Sequence, residues 1–241
     1  MKKALILSIS ILALAFVAYG FGGPAPSGGQ FSSGLTPNNS GDSDHYIFDD
    51  FEDGDSTTNP EWWKFDNINL KIEDNSDLKQ GDPQTINSIG KYSLRVTGTC
   101  TDWYCGGIGT YIARKGVDLS RFNMFQMDVY GNGPGSGTIK IELNDDDNGN
   151  WQPEQDPKKN FANMYDDKFV YNLTVDWRGW KRVQIPIADF ADENPGIGDD
   201  IWNPNQEGGS GGLIQMQLIF IGAKRAGTVN MNLDNIGLAV K

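Results

Sequence analysis

The stretch Lys168–Phe190, KFVYNLTVDWRGWKRVQIPIADF, leaves a chain few ways to fold. Phe169, Tyr171, Leu173 and Val175 alternate with Lys168, Val170, Asn172 and Thr174. After Asp176-Trp177-Arg178-Gly179, a second run sets Val183, Ile185 and Ile187 against Arg182 and Gln184. Period-2 alternation means a strand with one buried and one open face. The segment reads as a hairpin of two strands. Pro186 has no amide hydrogen for a ladder, so the second strand lies at an edge or ends there. Trp177 and Trp180 stand beside open faces that carry Asn, Thr, Arg and Gln.

The same pattern recurs in Tyr46–Glu52, Trp62–Phe65, Ile68–Ile72, Lys91–Val96, Gly107–Ala113, Phe125–Val129, Ile139–Leu143, Ile214–Phe220 and Val229–Val240. About ten short strands between turn-rich loops predict an all-β chain, a two-sheet antiparallel β-sandwich. In the last strand the apolar phase runs through Val229, Met231 and Leu233, then Ile236, Leu238 and Val240. It slips at Asp234-Asn235, as a β-bulge would make it. Neighbours on a strand face opposite ways, so one of Trp62 and Trp63 belongs to the core.

The ends set the context. Met1-Lys2-Lys3, the apolar run Ala4–Val17 and the small residues around Ala18-Tyr19-Gly20 read as a secretory signal peptide, residues 1–20. Residues 21–44, rich in Gly, Pro, Ser and Asn, read as a flexible tether. One domain occupies 45–241. The expected location is secreted, periplasmic or cell-surface, with no transmembrane segment after signal removal. A net charge of −12 argues against nucleic acid, which needs a cationic surface.

The two cysteines, Cys100 and Cys105, can form a disulfide in an exported chain. The bridge is either a local staple or a device that presents Trp103 at a loop tip. Two acidic groups are candidate calcium sites. Asp50 and Glu52 share a strand face and could meet Asp234 of the last strand; an acidic turn in solvent is the other reading. Asn144, Asp146, Asn148 and Gly149 match the start of an EF-hand loop, although Gln155 stands where a bidentate Glu is needed; a solvated hairpin loop is the other reading. No GxSxG, HExxH or phosphate loop supports catalysis, and the expectation is a protein that is not an enzyme. Seven Trp and eight Tyr in an acidic β chain favour sugar binding, since aromatic faces pack on ring C–H groups.

Three pieces occur in order: DDFEDGD followed by EWW, then DWRGWKRVQIPIADF, then MNLDNIGL. Together they resemble the galactose-binding-like jelly rolls, in particular the family-11 carbohydrate-binding modules. The resemblance implies a jelly roll with a concave glycan-binding face. It also implies a structural Ca2+ near the first and last strands, with Asp50, Glu52 and Asp234 as side-chain ligands. Asp128, Tyr130, Glu142, Arg182 and Gln184 are the expected concave-face residues, being polar or aromatic on open strand faces. The acidic stretch Asn144–Pro157 is not matched. The expected ligand is a polysaccharide of the β-glucan type. The alternative is a cell-surface or filament protein that self-associates through the same sandwich.

Overall fold

In a computed structural model that describes residues 44–159 and 162–241, the alternating segments become fourteen strands. They are β1 (His45–Asp49), β2 (Trp63–Asp66), β3 (Ile68–Asp74), β4 (Tyr92–Thr99), β5 (Tyr104–Tyr111), β6 (Met124–Asn132) and β7 (Gly137–Asp146). After these come β8 (Gln155–Asp156), β9 (Ala162–Asn163), β10 (Lys168–Val175), β11 (Arg178–Pro186), β12 (Ala191–Asp192), β13 (Gly212–Ile221) and β14 (Thr228–Ala239). One short α-helix, α1 (Pro83–Ser88), lies between β3 and β4, and four single-turn 3-10 helices complete the helical residues among those described. The expected signal peptide and all of the tether but Asp44 lie outside those residues. None of the described helices is long and apolar enough to cross a membrane.

The strands form two antiparallel sheets. The first runs β11-β6-β14-β4-β3, with β1 also on β14; the second runs β12-β10-β7-β13-β5-β2. β8 and β9 make a separate two-stranded ribbon. Between the sheets lie Leu94, Phe125, Met127 and Val129 from the first and Ile108, Ile141, Leu143 and Leu218 from the second, all at 0% exposure. Burying each such side chain stabilises the fold by about 1.5–3 kcal/mol.

The hairpin expected over Lys168–Phe190 is not formed. β10 pairs with β7 in the second sheet, while β11 pairs with β6 at the edge of the first. Asp176 and Trp177 carry the chain from one sheet to the other. Gly133–Ser136, between β6 and β7, does the same beside them. The amide of Gly133 donates to the Trp177 carbonyl at 2.7 Å. A Cβ on Gly131 would lie 2.3 Å from that same oxygen, so only glycine lets the two corners touch. The expected bulge in β14 is present: its register on β6 slips between Asp234 and Gly237, and Asn235 has a φ of 47°.

Residues 75–90 explain why Trp180 is not an open aromatic. Gln80 and Asp82 pair with the backbone of Trp180 along the free edge of β11, each at 2.8 Å. The Trp180 indole N–H donates to the Leu78 carbonyl at 3.0 Å, and its ring meets Tyr130 edge-on. The side chain is 1% exposed. An edge covered in this way no longer offers a template for strand addition.

Candidate functional site

Residues paired across neighbouring strands point to the same side of a sheet. Register therefore defines rows on the outer face of the second sheet. One row is Trp63–Gly109–Gln217–Glu142–Val170. On one side of it lies Tyr111–Gln215–Asn144–Lys168, and on the other Phe65–Gly107–Ile219–Lys140–Asn172. From β2 to β10 this face is about 19 Å wide, room for several sugar rings.

Its aromatic flank is built from β2 and β5. Trp62 turns inward, where its indole N–H donates to Asp49 at 2.7 Å and its ring packs near Phe51. Trp63, next in sequence, must then face out. It lies over Gly109 and beside Tyr111, with ring centroids 5.1 Å apart. Phe65 lies over Gly107, where a Cβ would be 2.4 Å from its ring and 2.9 Å from Ile219. Alternate glycines on β5 thus make the shelf on which the rings of β2 rest.

The middle of the face is polar. Gln217 donates to Gln215 at 2.8 Å, and Asn144 donates to the same oxygen at 3.3 Å. Beyond it runs a chain of charges: Lys140 meets Glu142 at 2.7 Å and Glu193 at 2.6 Å, and Lys168 meets Glu193 at 2.8 Å. Burial opposes the charge on Glu193, but Lys140 and Lys168 outweigh it and hold the carboxyl below its usual range. Burial likewise opposes the charge on Lys140, yet Glu142 and Glu193 hold the ammonium above its usual value. An apolar ring surface beside amides and carboxylates suits a ligand with C–H faces and hydroxyl edges.

The expected concave-face set is divided between the two sheets. Glu142 is in the central row of the second sheet. Asp128, Tyr130, Arg182 and Gln184 belong to the first, so the five do not share one surface. Nor does Asp128 lie on an open face. It is fully buried, with both carboxylate oxygens accepting from Arg182 at 2.8 and 2.7 Å and one also from Asn235 at 2.9 Å. Arg182 is further tied to Thr85 and Ser88 of α1, and Tyr130 packs on buried Trp180. Gln184 is exposed and donates to Gln126. The Asp128–Arg182 pair is thus tied to α1 of the covering segment, whereas Gln184 stays exposed. Cys100 and Cys105 are joined by a disulfide, and Trp103, 47% exposed, stands in the turn they close, outside the three rows.

The two expected metal groups fare differently. Asp234 is fully buried; one of its oxygens accepts from the Asn235 amide at 2.7 Å and the other has no partner. Burial, with added repulsion from Asp128, Glu52 and Asp50, pushes its carboxyl up to about 9. Asp50 and Glu52 thus lie within electrostatic reach of Asp234, but the three do not bring their carboxylate oxygens within 4.8 Å of one another. The orphaned buried oxygen of Asp234 is what a cation would satisfy. Both oxygens of Glu52 also accept from the amides of Tyr92 and Lys91, at 2.8 and 2.9 Å.

Asn144, Asp146 and Asn148 do not converge as an EF-hand loop would. Asp146 accepts from the amides of Gly149, Trp151 and Gly211 at 2.7–2.9 Å. Asn144 accepts from Asn163 at 2.8 Å, and Asn148 donates to Glu154. The reason is that β7 continues through Asp146. Strand alternation sends the odd-numbered neighbours Asp145 and Asp147 to another side, where they meet Asp167.

Among solved structures the chain is similar to a family 11 carbohydrate-binding module of a cellulosomal cellulase of Clostridium thermocellum. Identity is 16%, coverage 82% of this chain and 95% of that one, and the TM-score 0.46. A family 11 module from the same organism, in complex with a β-1,3-1,4-mixed-linked tetrasaccharide, matches at 16% identity over 81% and 95%, TM-score 0.47. A CBM22-2 xylan-binding domain from Paenibacillus barcinonensis matches at 15% over 80% and 98%, TM-score 0.39. Likeness at these scores carries no weight here. No curated protein matches the chain. The model of carbohydrate binding domain 30, by contrast, matches residues 45–238. That span runs from the first residue of β1 into β14 and takes in every strand that builds the aromatic and polar rows, so the chain belongs to the carbohydrate binding domain 30 family.

Proposed function

We propose that the outer face of the second sheet binds a β-glucan-type polysaccharide without catalysing its cleavage. The observation that carries this is the row Trp63–Gly109–Gln217–Glu142: an aromatic ring held on a glycine shelf, followed by hydroxyl-binding groups. An extended β-linked chain offers ring faces and hydroxyl edges in the same repeat. Rings would pack on Trp63, Phe65 and Tyr111, and hydroxyls would bond Gln215, Gln217 and Glu142. Glu142 is held by Lys140, which suits a fixed acceptor.

Two further parts belong to this reading. A structural calcium joins the start and end of the domain through Asp50, Glu52 and Asp234, supported by the unpartnered oxygen of Asp234. The protein is exported, on the strength of residues 1–20.

The test is retention on a panel of soluble and insoluble glycans, with reducing ends assayed in the same tubes. Retention on a β-glucan without release of ends supports the reading. No retention on any glycan sinks it, and light scattering would then examine self-association. Release of reducing ends would overturn the noncatalytic part.

A further inference from the structure

The odd-numbered acids at the end of β7 converge with two other segments. Asp145 spends one carboxylate oxygen on the Asn203 amide at 3.0 Å, Asp147 one on the Asp167 amide at 2.9 Å, and Asp167 one on the Ile201 amide at 3.2 Å. The second oxygen of each is buried and has no hydrogen-bond partner. The side-chain carbonyl of Asn203 is in the same condition. Ligand oxygens of the three acids all lie within 4.8 Å of one another, and Asp145 and Asp167 are fully buried.

Four acceptor oxygens buried without hydrogen-bond partners are costly. Protonating one carboxyl would supply a single donor, enough for one of the four acceptors. A cation among the three acids would satisfy their free oxygens together, and Asn203, whose amide already binds Asp145, carries the fourth unpartnered oxygen beside them. The loop between β12 and β13 also comes very close. A Cβ on Gly198, whose φ is 78°, would lie 2.3 Å from the free oxygen of Asp167 and 2.4 Å from Asp147. That loop can pass here only as glycine.

We propose that Asp145, Asp147, Asp167 and Asn203 bind a hard divalent cation of the calcium class. The donor set is all oxygen, three carboxylates and one amide carbonyl, and water would complete a shell of six to eight. Neither a nitrogen nor a sulfur ligand is present in the set, which disfavours zinc or copper. The ion would clamp the end of β7, the start of β10 and the loop that carries Asn203. It is separate from the calcium proposed for Asp50, Glu52 and Asp234, and it does not depend on what the sheet face binds.

The experiment uses the full-length protein stripped with chelator. Calcium is titrated calorimetrically, and terbium luminescence is excited through tryptophan, with Trp202 adjacent to Asn203 in sequence. The parent and the Asp234→Asn variant should both retain this site, whereas Asp145→Asn and Asp167→Asn should each lose it. The Asn variants should melt higher than the parent in chelator, because a repulsive charge is gone, and should lack the calcium-dependent rise from this site. If either fails to fold, Asp147→Asn, at the more exposed position, gives the same readouts. Unchanged calcium stoichiometry and affinity in these variants would overturn the site. So would a parent that binds no calcium, or one whose binding disappears wholly in Asp234→Asn.

Discussion

The indole of Trp63 lies against the backbone of Gly109, and a Cβ on that glycine would come within 2.5 Å of ring atom Cζ2. Gly109→Ala should therefore displace the indole. A rigid backbone-borne methyl in a packed contact costs about 1–3 kcal/mol of stability. The predicted result is a lower Tm together with weaker glycan retention, read by thermal melts and affinity electrophoresis. Unchanged retention would mean that Trp63 does not carry the ligand.

Trp63→Ala and Tyr111→Ala remove the rings and leave the core alone, since both side chains lie on the outer face. Truncating an aromatic anchor at a binding surface costs about 1–2 kcal/mol or more, roughly tenfold in affinity. Calorimetric titration with the retained glycan should show that loss in each variant, with Tm little changed. Equal affinity in both variants and the parent would place the ligand elsewhere.

Arg182→Met gives the opposite pattern. It leaves the buried Asp128 carboxylate with only Asn235 as a side-chain partner. Breaking a buried pair costs about 3 kcal/mol or more. Urea unfolding should show that loss, while the folded fraction keeps full glycan affinity, because Arg182 belongs to the first sheet. Loss of affinity at full stability would return the binding face to β6 and β11.

Asp234→Asn tests the calcium proposed between the chain ends. In chelator the variant should melt at or above the parent, since the carboxylate that burial disfavours is gone. With calcium added it should gain less than the parent. Equal gains in both would rule out Asp234 as a ligand.

The pH dependence follows from Glu193, whose carboxyl is held below its usual range in the folded protein. The unfolded chain then binds its proton at higher pH than the folded one. Its stabilising contribution is complete above the ordinary glutamate value of about 4.3 and is lost as pH falls through the lower folded value. Urea unfolding between pH 3 and 6 should show a shallower acid limb for Glu193→Gln. Superimposable curves would mean that Lys140 and Lys168 add nothing through this group.

Much was legible because the signals are local. Alternation announced the strands, the phase slip at Asp234-Asn235 announced the bulge, and adjacency put Trp62 and Trp63 on opposite sides. The concave-face set is instructive, because its five residues are split between the two sheets. Asp128, Arg182 and Glu142 look alike as polar residues in alternating strands. Only the covering segment 75–90 distinguishes a closed polar face from an open one. The nearest available signal for the rows on the outer face of the second sheet was Gly107 and Gly109, two small residues at strand spacing where a side chain would have been expected.

By itself, the sequence determined which side of its own strand each residue occupies, because the pleat repeats every two residues whatever the strand pairs with. Tertiary structure decided the rest. The corners at Gly133 and Trp177 send β7 and β10 to one sheet while β6 and β11 stay in the other. Register then aligns Trp63, Gly109, Gln217 and Glu142, four residues far apart in the chain. It also brings Asp167 and Asn203 to Asp145 and Asp147. A period of two carries no information about which strand lies alongside, and a binding face is made of neighbours.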